Sequence, residues 1–372
     1  MHHRRDSCRF LITSVGSWAV AEELRTSFGL PLRVAIHSDV GRVRTNNEDS
    51  AGYAWLEDGS LFVVVADGMG GHEAGEVASG LAVQVLEEVV GRDTDTDPRE
   101  RLYHGLLEAN EAILQEGRVS GTRGMGTTAI AAICRGREIH VGLVGDSRLY
   151  HIRKGQLVWR TLDHTRVQTL IDTGEIEEEE AREHPESGML TRALGHSRMA
   201  DGRPLVPDVL AEPLQIEADD ALVMCSDGLH DLLEDWEIGT LIAGSEPHAA
   251  ARQLVELACE RGGHDNITVA VITAGERSSE YDVAYVPESY PDEPDPEAAA
   301  EPEPAAGEPE IAAAASVAIS EEGEAEEGDA VAGPQKGGGL LVGVAAFSLF
   351  AMVGGAVVLV LLAVAVAWMM AA

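Results

Sequence analysis

Positive charge is what this chain has least of: 27 Lys and Arg stand against 64 Asp and Glu in 372 residues, a formal net charge of −37. Between Ser278 and Gln335 there is no basic residue at all, and that stretch alone holds 17 carboxylates. The rest of the chain is still acidic, which excludes non-specific nucleic-acid binding, because phosphate backbones attract basic faces and repel acidic ones. Cysteine is scarce too. Cys8, Cys134, Cys225 and Cys259 show no CxxC spacing, and the last three sit in apolar stretches. That excludes a zinc site built on them and reads as buried thiols in a reducing compartment. Charge of either sign is missing from Leu340 to Ala372, 33 residues in all, more than the roughly 20 that an α-helix needs to cross a bilayer. A transmembrane helix over 339–369 is expected there. Lys336 is the only cation nearby, so the positive-inside rule places the preceding chain in the cytoplasm of a single-pass, C-terminally anchored membrane protein.

What is present divides the chain into four parts. Residues 1–30 have a basic start and an apolar patch, Phe10 to Val20, interrupted by Thr13, Ser14, Gly16 and Ser17. This makes a poor signal peptide, and no function is assigned to the segment. Residues 31–275 read as one domain, and 276–338 form a Pro/Ala/Glu linker too poor in aliphatic residues to bury a core. Within 31–275 the pattern predicts strands at Val34–His37, Ser50–Trp55 and Leu61–Ala66, and helices at Ala74–Val90 and Glu100–Leu114. A β-meander is then expected through Thr127–Cys134, Ile139–Val144, Leu149–Ile152 and Leu157–Trp159. A polar surface flap follows at 163–188. Strands near Leu214–Ile216, Ala221–Cys225 and Ile267–Ile272 and helices near Asp235–Ile242 and His248–Glu260 complete the domain. Strand groups flanked by helix pairs predict an α+β fold, a four-layer helix/sheet/sheet/helix sandwich.

Four acidic islands sit at the ends of the β-like runs: Asn47-Glu48-Asp49, Asp67-Gly68-Met69-Gly70-Gly71, Ser226-Asp227-Gly228 and His264-Asp265-Asn266. One Asp-Gly dipeptide is usually only a turn, as Asp58-Gly59 and Asp201-Gly202 are read here. Two of them directly after apolar strands, with Asp265 opening a third strand, predict carboxylates converging where sheets meet. Hard divalent cations such as Mg²⁺ or Mn²⁺ take oxygen ligands of this kind.

Seven segments occur in the order of a known family: Arg44-Thr45-Asn46-Asn47-Glu48-Asp49-Ser50, Asp67-Gly68-Met69-Gly70-Gly71-His72, Gly124-Met125-Gly126-Thr127-Thr128, Val144-Gly145-Asp146-Ser147-Arg148, Leu190-Thr191-Arg192-Ala193-Leu194-Gly195, Ser226-Asp227-Gly228-Leu229 and Asp265-Asn266-Ile267-Thr268. With them the chain resembles the metal-dependent serine/threonine protein phosphatases of the 2C type (the PPM family), in their bacterial form. The resemblance implies two Mg²⁺ or Mn²⁺ ions bridged by Asp67 and a water, Asp227 and Asp265 on one ion, and Glu48 and the Gly68 carbonyl on the other. Asp146 would join Asp227 at a third, weaker metal site. Arg44 looks like the family's phosphate clamp, a role that suits the planar fork of a guanidinium. Asp49, His72 and Asn266 are placed beside the site rather than among its ligands. Two cations about 3.5–4 Å apart acidify water and neutralise phosphate charge, so no phosphoenzyme is needed. Many eukaryotic relatives carry a histidine general acid where this chain has Met69, which cannot donate a proton. That role passes to a metal-bound water, to His72 or to nothing. His230 also departs from the small polar residue commoner in relatives.

The expected activity is therefore hydrolysis of phosphoserine and phosphothreonine. The expected partners are phosphorylated proteins, among them serine/threonine kinases and their substrates, and the membrane. The competing reading is an inactive, membrane-tethered module that binds phosphoproteins. Loss of a ligand carboxylate would favour it, and none is lost. A metal-dependent nuclease would need a basic groove, which an acidic domain lacks.

Overall fold

Runs such as Leu61–Ala66 and Val269–Ile272 are apolar at every position, so they can be stable only as strands covered on both faces. The computed structural model bears this out. It describes residues 9–11, 18–21, 25–70, 73–122 and 124–275. His72, the linker at 276–338 and the apolar run at 339–369 lie outside the described residues.

Two antiparallel sheets stack face to face. The first, 8-stranded, runs in the order Arg9–Leu11, Asp49–Trp55, Leu61–Met69, Ala129–Arg135, Glu138–Val144 and Asp208–Val209, with Gly126–Thr127 and Leu214–Gln215 pairing off this path. The second, 7-stranded, runs Gln156–Arg160, Arg148–Arg153, Ala221–Cys225, Ile267–Ala274, Leu30–Asp39 and Trp18–Ala21, with Arg25–Ser27 beside Leu30–Asp39. Helices α1 (Glu73–Arg92) and α2 (Pro98–Val119) cover the first sheet. After α3 (Arg166–Asp172) and the single turn α4 (Asp227–His230), helices α5 (Asp235–Ile242) and α6 (Pro247–Glu260) cover the second. This is the helix/sheet/sheet/helix order expected from the pattern.

The period of two along each strand sorts its side chains between layers. Val63 and Val65 point between the sheets while Phe62 and Val64 point to α1 and α2. In the second sheet Leu222, Met224, Ala270 and Ile272 enter the inter-sheet core, and Val223, Cys225, Val269 and Val271 meet α5 and α6. Two long helices begin on local signals. Asp97 accepts a hydrogen bond from Arg99 N and Pro98 follows at the first helical position of α2; Pro247 opens α6 in the same way.

Two expectations need correction. The four runs from Thr127 to Trp159 do not form one meander. Glu138–Val144 belongs to the first sheet and Arg148–Arg153 to the second, so the chain changes sheet across Gly145-Asp146-Ser147. Gly145 has φ +108°, and a Cβ there would lie 2.6 Å from Thr128, so the crossing is available to glycine alone. The segment before residue 30, to which no role was assigned, supplies three short strands. Arg9–Leu11 pairs with Asp49–Trp55, Trp18–Ala21 with Leu30–Asp39, and Arg25–Ser27 with the start of Leu30–Asp39.

These strands cover sheet edges that would otherwise present unpaired amides and carbonyls. Deleting residues 1–24 is expected to leave the far-UV spectrum folded, to lower the urea midpoint by about 1–3 kcal/mol in stability, and to promote self-association in light scattering. An unchanged midpoint with a monomeric product would show that the edges need no cover.

Candidate metal centre

Asp67 lies where the strand Leu61–Met69 changes partner: up to Val65 it pairs with Ala129–Arg135, and at Gly68 and Met69 with Thr127 and Gly126. Across the ladder its opposite number is Asp49. Two carboxylates facing each other across strands repel, so the backbone must be held by other bonds. Thr128 N and Thr127 Oγ1 both donate to the Asp67 carbonyl, at 2.8 and 2.7 Å, and Asp67 N donates to Thr128 Oγ1 at 3.0 Å. Gly68 N donates to the Glu48 carbonyl at 3.1 Å. The start of α1 closes on this loop: a Cβ at Gly68 would stand 2.2 Å from the Gly75 carbonyl, and one at Gly75 would stand 2.0 Å from Glu48 Oε2. Only hydrogen fits at either position.

The second sheet contributes the facing half. Asp227 opens α4 immediately after Ala221–Cys225, and Asp265 and Asn266 precede Ile267–Ala274. Asn266 ties the two halves together. Its Oδ1 accepts from Glu48 N at 2.8 Å, and its Nδ2 donates to the carbonyls of Val40 and Asn46, each at 2.9 Å. Ser226 makes a second tie, donating from Oγ to Asp49 Oδ2 at 2.7 Å while its own Oγ accepts from Thr268 N at 3.0 Å. Asp146 comes from the crossing between sheets, where His230 Nε2 donates to its carbonyl at 3.1 Å.

Folding thus gathers Arg44, Glu48, Asp67, Gly68, Asp146, Asp227, Asp265 and Asn266 around one cleft of about 490 Å³. Asp49 lies buried behind it, 2% exposed, beside Ser226 rather than on the cleft wall. Met69 lines the cleft. Arg44 Nη2 donates to Asp265 Oδ2 at 2.7 Å, with about half of its side chain still exposed.

The electrostatics are those of a site built for positive charge. Burial first, then Asp227 and the neighbouring carboxylates, push Asp67 well above the usual carboxylate range. Burial and Asp227 do the same to Asp146, and burial and Asp231 raise Asp227. Burial lifts Asp49 to about 7 despite the Ser226 bond. Asp49 Oδ1 and Asp227 Oδ1 are buried without a hydrogen-bond partner. Among the described residues no group of three His, Cys, Asp or Glu side chains closes on one point; Mg²⁺ and Mn²⁺ also take carbonyl and water oxygens, and the Gly68 carbonyl could supply one beside the carboxylates. The donor set is all oxygen, as these ions require.

The residues expected from sequence at the cleft are all there except His72, which lies outside the described residues. The supporting groups carry no such signal: Thr127, Thr128, Ser226 and Gly75 meet Asp67, Asp49 and Glu48 only through their backbone, hydroxyls or missing side chain. A Thr-Thr pair following Gly-x-Gly carries no chemical signature of its own.

Asn266→Ala removes three partly buried hydrogen bonds and frees the loop that carries Arg44 and Glu48. A loss of about 2–4 kcal/mol in urea unfolding is expected; stability within about 0.5 kcal/mol of the parent would mean that the loop is held by other means.

Residues 38–267 match the family model described as Protein phosphatase 2C. The chain is 39% identical over 243 residues to the serine/threonine protein phosphatase PstP of Mycobacterium tuberculosis, covering 65% of this chain and 45% of that protein. It therefore spans about half the length of that relative. It is 36% identical over 247 residues to the serine/threonine phosphatase stp of Listeria monocytogenes, of which 95% is covered against 65% of this chain. Among solved structures, the catalytic domain of PstP in complex with two manganese ions superposes with a TM-score of 0.56 at 36% identity, over 66% of this chain and all of that one. With a family model matched over more than half its length and a sandwich of the same architecture, the chain belongs to the protein phosphatase 2C family.

Proposed function

We propose that the chain is a Mg²⁺/Mn²⁺-dependent protein phosphatase that hydrolyses phosphoserine and phosphothreonine. The observation that carries this reading is the meeting, in one cleft, of Glu48, Asp67, Asp146, Asp227 and Asp265 from segments far apart in sequence, with Arg44 on the rim. Asp67, Asp227, Asp265, Glu48 and the Gly68 carbonyl would hold two ions, and Asp146 with Asp227 a third. Such ions supply an acidified water and neutralise phosphate charge. Each residue of the chain then has a defined task. Arg44 leaves Asp265 to hold a phosphoryl group by two donated hydrogen bonds. Asn266 and Ser226 keep the two halves of the cleft in register. Met69 offers no proton, so the leaving alkoxide takes its proton from elsewhere than this side chain.

The linker at 276–338 and the apolar run at 339–369 support a tether. A helix of that composition would anchor the domain at a cell membrane, on the cytoplasmic side, and raise its concentration near membrane-bound kinases and their phosphorylated substrates. No described helix is long and apolar enough to cross a membrane; the tether is read from the apolar run alone.

Phosphate release from a phosphothreonine peptide by the full chain is expected with Mn²⁺, to vanish with EDTA, and to fall by about 10³-fold or more in Asp67→Asn and in Asp227→Asn. A wild type that binds Mn²⁺ yet releases no phosphate would instead be a membrane-tethered phosphoprotein-binding module.

The raised carboxyls also give stability a sign. Protonated in the folded, metal-free protein and ionised near 3.8 when unfolded, Asp49 and its neighbours stabilise the fold at low pH. That contribution is lost as pH rises from about 4 through about 7. In EDTA the thermal midpoint is therefore expected to be lower at pH 8 than at pH 5, by more than about 5 °C, and Mn²⁺ should reverse the trend because it binds the ionised form. A midpoint independent of pH in EDTA would refute the buried-proton account.

A further inference from the structure

Two further clefts adjoin the metal cleft through different walls, and Gly188 lines all three. The first, of about 670 Å³, also shares Met69 and Leu190 with the metal cleft. The other, of about 570 Å³, shares Asp146 and Asp227 with it. Because it shares Met69 and Leu190 with one and Asp146 and Asp227 with the other, the metal cleft joins the two into one trench.

The two arms differ in surplus charge. In the first, Arg192 is already paired with Asp208 at 2.7 Å and Glu186 with Arg166 at 3.6 Å. Arg198 and His196 are left exposed in a cleft also lined by Met69, Met189 and Met199, and the Arg198 side chain donates to the Gly202 carbonyl. In the second arm every arginine is matched: Arg148 with Asp163 at 2.6 Å, Arg160 with Glu178 and Asp235, Arg182 with Glu234. Glu179 remains exposed beyond those pairs, and Asp231, half-exposed, has only His230 Nδ1 at 3.5 Å as its partner among the described residues. In a chain of net charge −37, a basic arm beside the reaction site is the exception, and an acidic arm opposite it makes the trench polar along its length.

We propose that this trench reads the substrate directionally: it takes an acidic or thioether-compatible flank of the phosphopeptide in the Met69–Arg198 arm and a basic flank in the Glu179–Asp231 arm. The inference rests on the phosphatase reading and adds a substrate class to it, phosphoproteins with opposite charge on the two sides of the phosphorylated residue. Methionine walls adapt to many apolar side chains, so charge rather than shape sets the preference.

The test uses two phosphothreonine peptides of identical composition, one with an acidic pair before and a basic pair after the phosphothreonine, the other with the pairs exchanged. With the full chain and Mn²⁺, one peptide is expected to have a kcat/KM on the order of 5-fold higher at low ionic strength. The ratio should shrink at about 0.5 M salt and fall towards unity in Arg198→Glu and in Glu179→Lys. Equal kcat/KM for the two peptides at low salt overturns the proposal, as does a preference that both variants leave intact. Turnover of p-nitrophenyl phosphate reports separately on the phosphatase reading. If neither it nor the peptides are hydrolysed, that reading fails, and the affinities of the same two peptides for the protein still decide the trench: unequal supports it, equal overturns it.

Discussion

Everything near the cleft is arranged around carboxylates that repel one another. Asp49 and Asp67 face each other across neighbouring strands, and Asp227 and Asp265 approach from the second sheet. Buried like charges are among the most costly features a fold can contain, and they persist only where the surrounding structure over-determines their position. Here that structure is a set of uncharged groups: the threonines on the Asp67 backbone, the Asn266 amide and the Ser226 hydroxyl. None of them neutralises a carboxylate. They fix geometry and leave the charge for a cation to satisfy.

The same constraint explains why the glycines at the site are where they are. Gly68, Gly75 and Gly228 stand within 2.2 Å or less, measured from a notional Cβ, of backbone or carboxylate oxygens. Oxygen atoms can crowd together around an ion-binding cleft only if nothing else occupies the space between their backbones, so side chains are excluded there on steric grounds.

How far the sequence anticipates all this depends on the kind of signal. Asp67 and Asp227 were legible because each follows an apolar strand and precedes a glycine, and strand alternation placed most of the sandwich. The transfer of the chain between sheets at Asp146 was not legible, since a period of two is identical in either sheet and a hairpin-length gap looks the same as a crossing. Edge strands of three or four residues, Arg9–Leu11 and Trp18–Ala21, are shorter than any periodic window. Hydroxyl supports such as Thr128 and Ser226 are invisible for a different reason: their importance lies in a partner more than sixty residues away in the chain.

Because Asp67 lies in a strand of one sheet and Asp227 opens the helix that follows a strand of the other, the two meet only where the sheets pack together. Val65, Ile130, Leu222 and Met224, none of which lines the cleft, fill the core that holds the two sheets together. In an interior packed as densely as a crystal, a methylene gained or lost between the sheets is felt by every layer that rests on it, and the polar cleft stands on that aliphatic layer.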